Sequence, residues 1–364
     1  WFQLGCFSPI NRLHSSNSGF TSKEPWRYSR DARATMEAHL RLRHRLVPYL
    51  YTWARRSVSE GIGPMRPVYH DHPQEMAAYE HRRTFCFGDL LVVPFTSPLD
   101  EATGLGQETT WLPDGVWYDL PTGRRYEATT GGHGRMLSLS RPLDRIGVLA
   151  RAGAVIPLAG SLTEAAGDNP RELEIVVVPG GAGGFTLEED DGSAEPGPDR
   201  IARTRMRFTW PQTEGKDGGN AVLRIRLEGA ADVVPASRLV TVRLLAGRVA
   251  GALLGVGGQA RRLAVKEVDG DGFTLGAGTL VHLGELSRQE LADGVELVLR
   301  EVEQAPADWR GEVHAILDAA RVEYMAKDLA WAAVRRGLSG TALLGEMESL
   351  GLPETLRSAV AEVL

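Results

Sequence analysis

The chain lacks most of the features that assign a protein to a class quickly. Among its 364 residues there are two cysteines, Cys6 and Cys86, each inside an apolar run. This reads as two reduced, buried thiols, not as a disulfide framework or a metal pair. No apolar run approaches the length of a membrane-spanning helix. Neither sign of charge dominates: 41 Lys and Arg against 47 Asp and Glu leave a net charge of -6. That balance gives no electrostatic ground for nucleic acid or an anionic membrane as partner. The sequence opens on Trp1-Phe2-Gln3-Leu4-Gly5, without methionine, signal peptide or basic tail. The expectation is a fragment whose upstream part is out of view. Its N-terminus carries no address, and a cytoplasmic setting is assumed.

What is present in quantity is turn chemistry. With 42 glycines and 20 prolines, the chain reads as many short strands in two or three domains, each able to bury a core. The clearest helical pattern is 29–59, where Met36, Leu40, Val47, Leu50, Tyr51 and Ala54 recur at a 3.6-residue period. Ser29 suits the N-cap and Asp31 the first turn, and Pro48 predicts a kink or break. Arg41, Arg43 and Arg45 have no interleaved aromatics and read as a solvated helix face.

From about residue 66 the pattern turns to strands. Phe85 to Phe95 reads as a buried strand pair broken at Gly88-Asp89. Trp111-Leu112 and Val116 to Leu120 are separated by the turn Pro113-Asp114-Gly115, which predicts a meander of hairpins. Trp111 and Trp117 are expected in its core. Val148 to Pro157 adds strand, with Gly153 where the backbone needs freedom, and the small polar residues 159–170 suggest a boundary. A second β region comes next, with strands at 173–178, 185–187, 203–210, 221–228, 238–245, 260–266 and 294–303. The acidic run Glu188 to Asp191 beside Gly192 reads as a solvated hairpin tip, with calcium binding the lesser alternative. Residues 308–364 return to helix, with Asp308 and Ser339 as N-caps and Pro353 after Gly351 between two helices.

The first 28 residues are the unusual ones. A strand ending in Arg12-Leu13-His14, then small polar residues, then a long helix, is the pattern of a β-to-α junction. In a β/α barrel such loops build the active site. A histidine there can both donate to and accept from sugar hydroxyls. Taken alone, His14 is as well explained as a satisfied structural residue. Trp26, in Glu24-Pro25-Trp26, could stack on a sugar or pack its own loop.

A family resemblance shifts that balance. Trp1 to Pro9 and then Arg12-Leu13-His14 resemble the stretch from the seventh helix into the eighth strand of glycoside hydrolase family 31 barrels. Leu46-Val47-Pro48-Tyr49-Leu50-Tyr51-Thr52 and Pro64-Met65-Arg66-Pro67 resemble the next segments of that family. So do Phe87 to Pro94, Leu112 to Asp119, Pro142 to Ile146 and Arg151 to Pro157, in the expected order. Phe185 to Gly192 is similar to a motif of the family's distal C-terminal β-domain. Beyond about residue 210 the likeness is architectural, and the helical tail matches nothing in the family.

The resemblance implies a mixed fold: the C-terminal end of a (β/α)8 barrel, two antiparallel β-sandwich domains and a small helical tail. The expected boundaries are 1–65 for the barrel end, 66–158 for the proximal sandwich, 159–305 for the distal one and 306–364 for the tail. It further implies the C-terminal portion of a retaining α-glycosidase, an α-glucosidase first, needing no cofactor and no metal. Its partners would be an α-linked oligosaccharide or glucoside and the missing N-terminal part of the barrel. Two aspartates do the chemistry in that family, and both belong to strands upstream of Trp1. No catalytic residue is therefore expected in this chain, and the chain alone is expected to be inactive. His14 matches the family's sugar-binding histidine, Arg12 a supporting arginine, and Trp26 is a further substrate-binding candidate. Asp71, Glu75, Asp89 and Asp114 receive no catalytic role. The alternatives are an α-xylosidase or α-glucosyltransferase of the same family, or a non-catalytic β-sandwich remnant that binds carbohydrate.

Overall fold

The computed structural model describes residues 1–129, 131–211 and 219–364. A short helix α1 (Phe2–Cys6) opens the chain. Residues 8–24 then contain neither helix nor strand, so the strand expected to end at His14 is not formed. A barrel strand is held by parallel neighbours in a closed sheet. Among the described residues no strand lies beside this segment to supply them.

Helices α2 (Arg30–Arg45) and α3 (Val47–Ser59) come next, separated at Leu46 with Pro48 in the first turn of α3. Ser29 caps α2, its Oγ accepting from the amide of Ala32 at 3.4 Å. The buried stripe is not the one expected. It runs through Thr35, Met36, His39, Leu42, Leu46, Tyr49 and Trp53, while Leu40 and Tyr51 are 38% and 39% exposed. Spacings of three and four are kept, but the stripe passes through Thr35 and His39, so hydrophobicity alone misplaces it. Burial holds the His39 ring below its usual pKa, and its Nδ1 lies 2.8 Å from the carbonyl of Thr35.

The first β region comprises β1 (Met65–Pro67), the short helices α4 (Val68–Asp71) and α5 (Met76–Glu80), β2 (Phe85–Phe87), β3 (Leu90–Val93), β4 (Gly106–Leu112), β5 (Val116–Asp119), β6 (Arg125–Glu127), β7 (Arg135–Arg141) and β8 (Gly147–Arg151). One antiparallel sheet has the order β1-β2-β3-β8-β5-β6, and β4 and β7 form a separate ribbon. Trp111 and Trp117 are buried against Leu137, Leu139 and Leu149, as expected. Gly88 turns β2 into β3 at φ +60°, where any side chain would collide with Tyr49 and Trp53 of α3.

The second β region comprises β9 (Val155–Ala159), β10 (Glu172–Val177), β11 (Gly183–Glu189), β12 (Ala202–Thr209), β13 (Ala221–Gly229), β14 (Ser237–Leu245), β15 (Gly247–Val256), β16 (Gln259–Leu263), β17 (Val265–Val268), β18 (Gly278–Ser287), α6 (Arg288–Asp293) and β19 (Val295–Gln304). These strands make a five-stranded sheet, β17-β18-β14-β10-β9, and a six-stranded one, β11-β12-β13-β19-β15-β16. Strict alternation on β12 buries Ala202, Thr204, Met206 and Phe208 and turns the arginines between them outward. The expectation of a wholly antiparallel region is not met. β10 and β14 pair in parallel, because the chain leaves β10, builds β11 to β13 in the other sheet and returns. β9, read from the sequence as the end of the first β region, pairs with β10 in the second. One apolar core joins both regions to α2 and α3.

The tail consists of α7 (Trp309–Ala319), α8 (Tyr324–Arg335), α9 (Gly340–Ser349) and α10 (Glu354–Val363). Its own core is built on Val313, Leu343, Met347, Leu356 and Val360. Full burial of each such side chain contributes about 1.5–3 kcal/mol. Asp308 caps α7, accepting from the amide of Gly311 at 3.0 Å. The tail is anchored to the first β region by Glu362, whose side chain is 1% exposed. Its carboxylate pairs with Arg124 at 2.8 Å and Arg141 at 2.5 Å, and accepts from the Tyr126 hydroxyl and the Ser140 amide, both at 2.6 Å. Burial alone would raise this carboxyl, but the two guanidiniums outweigh it and hold it below the usual range.

Candidate functional site

A cavity of about 640 Å³ opens among α1, the irregular segment 8–14, Lys23, Tyr28 and the first turns of α2. Arg12 and His14 both line it. Neither side chain hydrogen-bonds to another described residue, so both are free to meet a ligand. Phe2, Leu13 and Met36 add apolar wall, and Gln3 is fixed by donating to the carbonyl of Leu143 at 3.2 Å. Trp26 is 65% exposed and stands outside the lining. The size falls within the usual range for small-ligand pockets. The lining contains no carboxylate. The cavity can therefore bind through a guanidinium, an imidazole and an apolar face, but it holds no carboxyl pair of its own for glycosidic cleavage.

The residue that shapes this cavity from behind is Arg43. Its guanidinium donates to the carbonyls of Cys6 at 3.0 Å, Ser8 at 2.5 Å and Pro9 at 2.7 Å, fixing the segment that leads to Arg12. Arg45 likewise docks, pairing with Glu174 at 2.8 Å and donating to the carbonyl of Ala159. The expected solvated arginine face is thus corrected for two of its three members. Only Arg41 remains on the surface, 3.7 Å from Glu37. The partners lie 34 to 129 residues away in sequence, so composition gave no signal for them.

Of the acidic run 188–191 only Asp191 remains at a solvated tip. Glu189 and Asp190 are buried at 2% and 6% exposure. Glu188 is held by Arg55 and Arg203, Glu189 by Arg238, Asp190 by Tyr51 and Arg55, and Asp191 by Arg200. Long-range arginines convert the run into a seam between α3 and the second β region, with no arrangement for a metal among the described residues. Of the other carboxylates weighed from sequence, Asp71 and Asp89 line one cavity remote from Arg12 and His14, and Glu75 and Asp114 stand outside it. Asp71 pairs with Arg66 at 2.7 Å, and Glu75 lies 3.3 Å from His133.

Cys6 and Cys86 are both free, Cys6 buried and Cys86 half-buried. Burial pushes both thiols up to about 12, so neither is a nucleophile at neutral pH. No helix among the described residues is long and apolar enough to cross a membrane.

Residues 1–53 match the domain described as the glycosyl hydrolases family 31 TIM-barrel domain, and 61–156 the glycosyl hydrolase family 31 C-terminal domain. The two matches support a relationship to glycoside hydrolase family 31 over residues 1–53 and 61–156. It is 34% identical over 194 residues to an alpha-xylosidase of Saccharolobus solfataricus, covering 53% of this chain and 25% of that one. It is 29% identical over 247 residues to the lysosomal alpha-glucosidase of Mus musculus, covering 63% and 25%. A Flavobacterium johnsoniae family 31 dextranase solved with isomaltotriose superposes with a TM-score of 0.65 at 19% identity, over 82% of this chain and 36% of that one. That likeness concerns the fold, and it extends into the second β region. The chain spans about a quarter of the length of these curated relatives.

Proposed function

We propose that the chain is the C-terminal part of a retaining α-glycosidase, with an α-glucoside as its principal substrate. The observation that carries this is the cavity of Arg12 and His14, which offers sugar-binding groups and contains no carboxylate. Retaining glycosidases need two carboxyl groups about 5–5.5 Å apart, one attacking the anomeric carbon and one handling the proton. In this reading both come from upstream barrel strands, and residues 1–65 close the barrel around them. His14 hydrogen-bonds the sugar in the cleavage subsite and Arg12 supports it. Trp26 presents its exposed ring for stacking just outside. The two β regions, dividing between β8 and β9 at Gly153, are β-sandwich scaffolds, and 306–364 is an added helical unit. A second reading, an α-xylosidase, is favoured by the 34% identity to the Saccharolobus enzyme.

Sequencing the coding DNA upstream of Trp1 tests the proposal. An open frame with two aspartate-bearing barrel strands is expected, and a stop codon close upstream would turn the reading to a binding remnant. Purified 1–364 should not turn over nitrophenyl α-glucoside or α-xyloside. Turnover that disappears on mutating one of its own carboxylates would sink the proposal.

A further inference from the structure

A second cavity, of about 460 Å³, lies where the two β regions meet. Its walls come from the β1–α4 segment, the turn between β2 and β3, the loop between β8 and β9 and the start of β11. It shares no lining residue with the His14 cavity.

The backbone here is fixed. Gly153 has φ +85° and lies so close to Ala182 that no Cβ fits, and Gly183 is pressed as closely on the carbonyl of Gly153. One charged pair is also locked. Arg66 donates to Asp71 at 2.7 and 3.3 Å and to the carbonyl of Gly88 at 3.2 Å, with its guanidinium 4.9 Å from the Trp53 ring centre.

Three other groups keep spare capacity. Asp89 is exposed at the wall, and its carboxylate accepts no hydrogen bond from any described residue. Arg151 spends one donor, on the carbonyl of Asp114 at 3.2 Å. The His72 ring makes no hydrogen bond to a described residue and packs edge-on to Trp111 at 5.4 Å. Burial lowers its pKa, so at neutral pH the ring offers one donor and one acceptor. Trp117 supplies apolar wall, its indole N–H already given to the carbonyl of Pro113 at 2.9 Å.

The charges of this cavity cancel, Arg66 and Arg151 against Asp71 and Asp89. A phosphate would meet two carboxylates, and a cation would meet two guanidiniums. A neutral polyol meets neither penalty, and it can use a free acceptor, a free donor, an amphoteric ring and an aromatic wall together. The geometry points to a carbohydrate-binding site between the two β regions, built around Asp89, Arg151 and His72 and sized for a mono- or disaccharide. It is a binding site without chemistry, and it does not depend on the proposed glycosidase activity.

The test is a titration of the 364-residue chain with maltose and isomaltose, followed through the indole N–H signals of Trp117 and Trp111. Saturable shifts are expected at both. Asp89→Ala and Arg151→Ala should each weaken binding about 10-fold, or 1.4 kcal/mol, while His14→Ala leaves it unchanged. Asp89→Asn, which keeps the shape, replaces the alanine form if that does not fold. Absence of any saturable shift would overturn the site. So would shifts that vanish in His14→Ala but persist in Asp89→Ala, or inorganic phosphate or calcium displacing the sugar from this cavity.

Discussion

The two ends of the chain both carry large apolar side chains and dispose of them differently. In the tail, Val313, Leu343, Met347 and Leu356 are wholly or almost wholly buried, and polar groups reach across to the first β region. In the N-terminal segment Trp1, Ile10 and Phe20 are 94%, 83% and 101% exposed. Four short helices joined by tight turns complete a core from local contacts. A lone β-to-α segment has an apolar side with no second layer to cover it. The tail is therefore tied to the first β region by buried charge, and the N-terminal segment by Cys6 and Phe7 in the main core together with backbone carbonyls gripped by Arg43.

The contrast breaks most sharply at Glu362. Glu362→Gln removes one of the two carboxylates on each of Arg141 and Arg124, leaving Asp119 and Glu312, and should cost about 1–3 kcal/mol of docking stability. The readout is the urea midpoint of the tail, followed through Trp309 and Trp331 fluorescence. A loss below about 1 kcal/mol would show that apolar contact, not charge, holds the tail. Acid makes the same point. The Glu362 carboxyl is depressed in the folded state, while unfolded glutamate titrates near about 4.3. Between those values the unfolded chain binds more protons, so this contribution is complete at neutral pH and disappears as pH falls through the folded value. The Gln variant should flatten that acid limb.

A smaller effect sharpens the other side. Arg43→Ala frees the carbonyls of Cys6, Ser8 and Pro9 and should cost about 1–2 kcal/mol locally. Hydrogen exchange should accelerate over residues 5–14 with the tail unchanged, and a uniform acceleration would mean that the segment is coupled to the whole fold. Smallest of all, Phe20→Ser should move stability by no more than about 0.5 kcal/mol. It should still reduce binding of a hydrophobic dye, and unchanged binding would place the sticky surface elsewhere.

The sequence was most legible where structure is local. The break before Pro48, the caps at Ser29 and Asp308 and the buried hairpin around Gly88 obey short-range rules, and the structure contains them. Arg12 and His14 are singled out only by resemblance, and the structure brings them to one cavity. The features that stayed hidden depend on distant partners. The roles of Arg43 and Glu362 require segments 34 to 238 residues away, and the acidic run looks solvated until Arg55 and Arg238 arrive. β15 escaped notice because Gly247, Gly251 and Gly255 break the alternation that marks a strand, although it pairs with β19 along its length.

The placement of β9 bears on how such chains can be divided and recombined. Only Ala152, Gly153 and Ala154 separate the last strand of the first sheet from an edge strand of the second, and Gly153 makes the turn between them. A cut at residue 158 would pass through that strand and strip the second sheet of its border. Exchange of the second β region between relatives therefore has to carry β9 with it, and the workable splice lies at Gly153, inside the motif that sequence comparison assigns to the first.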